Sequence, residues 1–161
     1  MFYYEDVLKG LNKAKVRYVV FGGVAAILHG VHRTTMDIDI IVDMTADNIE
    51  KLFKILEKIG YRPRLPVVVE EFKDIKKRKM WEKEKNMKVF TFFHTKDPLK
   101  MVDIAIEGLV KYEKVEKEIV KVGNMKVPII SVEQLKKMKK KAGRKQDLAD
   151  LDELKRLGDM L

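Results

Sequence analysis

A short apolar run ends in Gly22-Gly23, a helix-length stretch follows, and then comes Asp37-Ile38-Asp39-Ile40-Ile41-Val42. Few folds accommodate that order. Residues i and i+2 of a strand project to the same face, so Asp37 and Asp39 stand side by side while Ile38 and Ile40 point to the other. The Ile-rich flanks make this a central strand and not a wet edge. Two ionised carboxylates at such spacing repel unless one takes up a proton or a cation sits between them, and hard oxygen ligands of this kind suit Mg²⁺. The chain has no cysteine and only three histidines, His29, His32 and His94. The missing cysteines exclude thiolate metal sites, the scattered histidines argue against a zinc site, and carboxylates are the natural metal ligands.

The rest of the chain reads as alternating helices and strands. Glu5 to Lys15 has Val7, Leu8, Leu11 and Ala14 on one helical stripe. Tyr18 to Phe21 is β-branched and aromatic, a strand from which Gly22-Gly23 lets the chain turn sharply into a helix over Val24 to His29, closed by Gly30. After the Asp37 to Val42 strand, Thr45 is expected to cap a helix over Ala46 to Ile59 that stops at Gly60. Pro63 and Pro66 break the next stretch, and Val69 to Lys85 reads as one charged helix with Phe72, Ile75 and Trp81 inward. Strands return at Lys88 to Phe93 and Met101 to Ile106, on either side of Lys96-Asp97-Pro98. Asp103 lies in the second of these, as a buried ligand or as the solvent-facing position of an alternating strand. Glu118 to Val122 and Lys126 to Ile130 flank Gly123-Asn124 as a hairpin. Ser131-Val132-Glu133-Gln134 is a capping box opening a helix to about Lys141, Gly143 breaks it, and Gln146 to Leu157 forms the last helix. The expected class is α/β (α+β), a small mixed β-sheet flanked by helices.

With 161 residues, 46% of them hydrophobic, the chain has the size of one domain with a proper core. No apolar run approaches the roughly 20 residues that span a bilayer, and the acidic start Tyr3-Tyr4-Glu5-Asp6 lacks the order of a signal peptide. A cytoplasmic protein without a membrane partner is expected. The net charge of +9 arises wholly after residue 60. It is either an attraction for a polyanion, nucleic acid or nucleotide triphosphate, or a set of solvated helix faces with interleaved Lys and Glu.

If Asp37, Asp39 and Asp103 meet at one edge of the sheet, they can hold two Mg²⁺ ions about 3.5 to 4 Å apart. Asp37 and Asp39 would bridge both ions. Asp103 would hold the one that binds an acceptor hydroxyl, and could take its proton. Gly22 and Gly23 complement them, since a missing side chain lets backbone N–H groups approach phosphate. Arg33, Thr34 and Thr35 either contact nucleotide phosphates or form the loop entering the strand.

The sequence Gly22-Gly23, a helix, Asp37-Ile38-Asp39 and a later Val102-Asp103-Ile104 resembles the nucleotidyltransferase superfamily that includes DNA polymerase beta, kanamycin nucleotidyltransferase and the CCA-adding enzymes. Ile130 to Leu135 and Lys141 to Leu151 look like the ending of small stand-alone members, among them relatives of abortive-infection toxins. The resemblance implies one nucleotidyltransferase-like domain over 1–161, with a core of about 17–130 and C-terminal helices of about 131–157. It also implies a transferase that moves a nucleoside monophosphate from an NTP to a hydroxyl of RNA, protein or a small molecule, within a toxin–antitoxin system or alongside a partner protein or second copy. Catalytic and metal-holding roles fall on Asp37, Asp39 and Asp103. Nucleotide-binding roles fall on Gly22, Gly23, Arg33, Thr35, Lys141 and Arg144, with Asp147 in support. Ser stands in many members where this chain has Gly23, so backbone N–H groups must replace a hydroxyl contact. The alternative reading is a nucleotide- or RNA-binding module of the same fold with little or no turnover.

Overall fold

In a computed structural model, which describes residues 3–106 and 111–160, a mixed seven-stranded sheet carries the elements that converge on the two aspartates. The strands are β1 (Tyr18–Phe21), β2 (Asp37–Val42), β3 (Tyr61–Pro63), β4 (Val89–His94), β5 (Met101–Ala105), β6 (Lys117–Val122) and β7 (Met125–Ile130). Their order is β3-β4-β5-β2-β1-β7-β6. The Ile-rich β2 is central, antiparallel to β1 and parallel to β5. Ile38 and Ile40 are fully buried, as their alternation with the aspartates requires.

The helices are α1 (Glu5–Lys13), α2 (Gly22–Leu28), α3 (Ala46–Lys58), α4 (Val69–Lys73), α5 (Ile75–Lys85), α6 (Val132–Ala142) and α7 (Lys145–Asp159). The stripe on α1 buries Val7, Leu8 and Leu11 and packs on α3, which buries Ile49, Leu52 and Leu56. At the far end of the chain α7 packs on α6, and α6 on α2. The C-terminal helices thus reach α2, the helix that the Gly22-Gly23 turn opens. Among the described residues, no helix is long and apolar enough to cross a membrane.

Four local expectations need correction. The charged stretch from Val69 to Lys85 is two helices, because Asp74 adopts an extended backbone and its carboxylate accepts from the Lys76 N–H at 2.9 Å, capping a new start. Phe72 and Trp81 are buried as expected, their rings 5.1 and 5.8 Å from that of Phe90, but Ile75 is 48% exposed. Tyr61–Pro63 forms an edge strand, where the missing N–H of Pro63 is tolerated. Thr45 starts α3 without a side-chain cap; its hydroxyl accepts from Arg17 Nη2 at 2.9 Å. The box at Ser131 is half formed: Ser131 Oγ accepts from the Gln134 N–H at 3.2 Å, while the Gln134 side chain turns to the backbone of Glu116 and Lys114.

Candidate active site

Register alone brings the three carboxylates together. Asp39 pairs with Asp103 across β2 and β5, and Phe21, the last residue of β1, pairs with Asp39 on the other side. Directly opposed residues of adjacent strands share a face, so Asp103 joins Asp37 and Asp39 on the face that Ile38 and Ile40 avoid. One carboxylate oxygen from each of the three lies within 4.8 Å of the others.

The surroundings set the ionisation of the cluster. Burial, and then the neighbouring charges of Asp37 and Asp103, push the Asp39 carboxyl up to about 8. Burial also raises Asp103, to about 6, against the opposing hydrogen bond in which Thr91 Oγ1 donates to Asp103 Oδ1 at 2.6 Å. Thr35 Oγ1 donates to Asp37 Oδ1 at 3.2 Å. Hydroxyls from flanking segments thus fix two of the three carboxylates, while the charges of Lys139 and Arg144 act on Asp39 and that of Arg64 on Asp103 without offsetting burial.

Gly22 is required by this arrangement. Its φ is +66°, and a Cβ there would stand 2.1 Å from Asp39 Oδ2, a collision with the Asp39 carboxylate itself. Gly22→Ala therefore costs about 1–2 kcal/mol in backbone strain and displaces Asp39. The expected outcome is a folded protein with a lowered melting temperature, read by calorimetry; an unchanged melting temperature would contradict the close approach. At Gly23 a Cβ would meet Thr35 Oγ1 at 2.9 Å and Thr35 Cβ at 3.2 Å, so a serine there would require the Thr35 side chain to shift.

The remaining sequence-derived residues divide. Arg33 and Thr35 both reach the Gly22-Gly23 turn, but Arg33 Nη1 also donates to the buried Asp150 at 2.6 Å. Arg144 is exposed, donates from Nε to Asp147 at 2.7 Å, and its charge acts on Asp39 and Asp37. Lys141 is exposed in the last turn of α6. The lysine whose charge reaches Asp39 is Lys139, only 5% exposed, with Nζ 2.8 Å from Asp150 and 3.6 Å from Asp147. A sequence signal existed for it: Lys139 lies four residues after the buried Leu135, on the inward stripe, whereas Lys141 does not. Burial works against ionisation of Asp147 and Asp150, yet both are held below the usual carboxylate range. Arg144 outweighs burial for Asp147, and Lys139 with Gln146 does so for Asp150.

A family model described as aminoglycoside-2''-adenylyltransferase matches residues 4–157. Among solved structures, the lincosamide antibiotic adenylyltransferase LnuA, in its lincomycin-bound crystal, has a TM-score of 0.62 at 22% identity, covering 94% of this chain and 93% of that one. ANT(2'')-Ia in complex with adenylyl-2''-tobramycin has a TM-score of 0.57 at 12% identity, covering 94% and 90%. An antigenic nucleotidyltransferase-like protein from Paracoccidioides brasiliensis has 0.56 at 14% identity, covering 92% and 71%. At these identities the likeness is one of fold, the nucleotidyltransferase fold. No curated protein matches the sequence.

Proposed function

The chain belongs to the aminoglycoside-2''-adenylyltransferase family of nucleotidyltransferases, and from that premise we propose that it transfers a nucleoside monophosphate from an NTP to a hydroxyl of a small molecule, releasing pyrophosphate. The observation that carries this reading is the convergence of Asp37, Asp39 and Asp103, with oxygens within 4.8 Å, beside Gly22, where a side chain would strike Asp39. The donor set fits divalent cations, because three crowded carboxylates, two of them raised toward protonation, favour a positive charge among them. In our reading Asp37, Asp39 and Asp103 would together hold the Mg²⁺ ions. Such ions would neutralise the triphosphate and steady the departing oxygens.

The chain's own groups supply alignment and proton transfer. The Gly22 and Gly23 backbone approaches the triphosphate, with Arg144 as the exposed cation closest in effect to Asp37 and Asp39. Arg33 and Thr35 line the same turn and shape its wall. Lys141 drops out of the reading, and Lys139 takes over its electrostatic role. The acceptor oxygen bonds to the α-phosphorus as the bond from that phosphorus to the bridging oxygen breaks. Pyrophosphate leaves with the electron pair, and the hydroxyl proton passes to Asp103, whose orientation Thr91 fixes. A small-molecule acceptor is favoured over RNA or protein because LnuA is described with lincomycin and ANT(2'')-Ia with an adenylylated tobramycin. In this reading residues 1–161 act as one nucleotidyltransferase-like domain.

Melting temperatures with each NTP, with and without Mg²⁺, test this reading. At a ligand concentration of about 100 Kd, binding to the native state adds roughly 2.7 kcal/mol. The expected result is a Mg²⁺-dependent rise with at least one NTP that vanishes in Asp37→Asn. No rise in a folded wild type would move the chain to a binding module whose carboxylates serve another purpose.

A further inference from the structure

β2 and β5 carry the three carboxylates, and their parallel pairing opens on Asp37 and Met101. Asp39 and Asp103 face one another inside that ladder, with pairs before and after them. Asp37 sits at its open end. Its place relative to Asp103 therefore depends on how the first pair is held, and a slip of one residue would carry Asp103 to the other face. The chain between the two strands runs through α3, β3, α4, α5 and β4, so no short connection fixes their relative height.

Tyr4, the residue that precedes α1, holds this first pair from outside both strands. Its hydroxyl donates to the Met36 carbonyl, next to Asp37, and accepts from the Met101 N–H at 3.4 Å. One phenol thus bridges the start of β2 to the start of β5, with its proton and a lone pair both in use. The residue is 1% exposed, so packing keeps the hydroxyl where it is. Burial pushes the phenol above its ordinary 10 against the effect of the Met101 N–H, and the charges of Asp37 and Asp103 add to the rise. Neighbouring residues fasten the same segment to the approach to β5. The Tyr3 hydroxyl donates to Asp97 Oδ2 at 3.0 Å, and Lys100 Nζ lies 3.3 Å from Asp6 Oδ1. The Tyr61 hydroxyl, from β3, donates to Asp6 Oδ2 at 3.2 Å.

Resting on the transferase reading above, we propose that Tyr4 is a positioning residue of the reaction centre: its hydroxyl fixes Asp37 relative to Asp103, and thereby the fit of a divalent cation among the carboxylates. The segment before α1 is thus part of the site, although it carries none of the groups that touch the ion. A hydrogen bond that orients a metal-holding group from behind is usually worth about 10- to 100-fold in metal affinity. Tyr4 acts on the backbone beside Asp37 and not on its carboxylate, which places the effect at the low end.

Titration of the full chain with Mn²⁺ alone, the free ion being read by its paramagnetic resonance, tests this on Tyr4→Phe and Tyr18→Phe. Each variant loses the hydroxyl of a buried tyrosine and its hydrogen bonding between elements. Tyr18, however, donates to Asn12 at 2.8 Å and pairs with Val42, at the far end of β2. Both variants are expected to melt a few degrees lower. Tyr4→Phe alone is expected to weaken Mn²⁺ binding, by about tenfold. Wild-type affinity in Tyr4→Phe, or equal weakening in both variants, overturns the positioning role and leaves the metal site standing. A wild type that binds no Mn²⁺ overturns both readings. Hydrogen exchange in the wild type reads the same coupling with no substitution to fold. Coupling is reciprocal, so Mn²⁺ should raise the protection of the Met101 amide more than that of the β6 and β7 amides, and an equal or smaller rise overturns the proposal.

Discussion

Lys139→Met is expected to lower the stability of the protein by about 3 kcal/mol, because it removes one partner from a buried ionic cluster and strands the others. Lys139 Nζ sits 2.8 Å from Asp150 and 3.6 Å from Asp147, and both aspartates are almost completely buried. Buried ion pairs contribute little net stability when intact, but a buried carboxylate left behind keeps its desolvation cost without the compensating attraction. Arg33 remains on Asp150 and Arg144 on Asp147, which places the effect at the low end of the usual 3–5 kcal/mol, roughly 6–12 °C in melting temperature for a chain of this size. Lys139→Met combined with Asp150→Asn should recover part of the loss, since the second change removes the stranded charge. Equal losses in the single and double variants would show that packing, and not charge, sets the cost.

The cluster also carries a pH signature of definite sign. Asp147 and Asp150 titrate below their unfolded value of 3.8. Their contribution is fully present above that value and is lost as pH falls through the lowered folded values. Lys139→Met should therefore shrink the acid-side dependence of stability along with the stability itself. Because α6 carries Lys139, α7 carries both aspartates and Arg33 precedes β2, the cluster joins the C-terminal helices to the loop entering the strand of Asp37 and Asp39.

What was legible in the sequence follows from how local each signal is. The i, i+2 spacing of Asp37 and Asp39 and the Ile-rich flanks are properties of one strand, and they predicted both the shared face and the central place of β2. Gly22 was legible as a turn, but the reason no side chain fits lies 17 positions away at Asp39, and only the β1–β2 register reveals it. Asp103 stayed ambiguous because an alternating strand has two faces, and its pairing partner decides which is meant. The Lys136 to Lys141 run shows the limit most clearly. Charge alone cannot say which lysine turns inward, and the carboxylates that draw Lys139 in belong to the next helix. The break at Asp74 was missed because helical propensity runs continuously through it, while a local Asx contact to the Lys76 N–H competes for the backbone.

Asp39→Asn is expected to abolish nucleotidyl transfer and, in the absence of divalent metal, to make the protein more stable. Activity should fall by about three orders of magnitude or more, comparable to removing a key electrostatic group from a reaction centre. The gain in stability has a separate origin. The Asp39 carboxyl is raised from an ordinary 3.8 to about 8, by burial first and then by Asp37 and Asp103. Below pH 3.8 the folded and unfolded states both carry the proton, and no penalty exists. Between 3.8 and about 8 the folded state holds the proton while the unfolded state has released it, so stability falls as pH rises, by at most about 1.4 kcal/mol per pH unit. Above about 8 both states are ionised and the penalty is complete. The amide of the variant has no charge to lose and can donate to the neighbouring carboxylates, so its stability should be flatter with pH over the same window. At pH 8 without metal the variant should melt several degrees above the wild type. With Mg²⁺ the order should narrow or reverse, because a bound cation stabilises the ionised wild-type cluster and has a weaker site in the variant. A variant that melts at or below the wild type at pH 8 in a chelating buffer would show that the three carboxylates are not held together at a cost, and would remove the electrostatic argument for a cation between them.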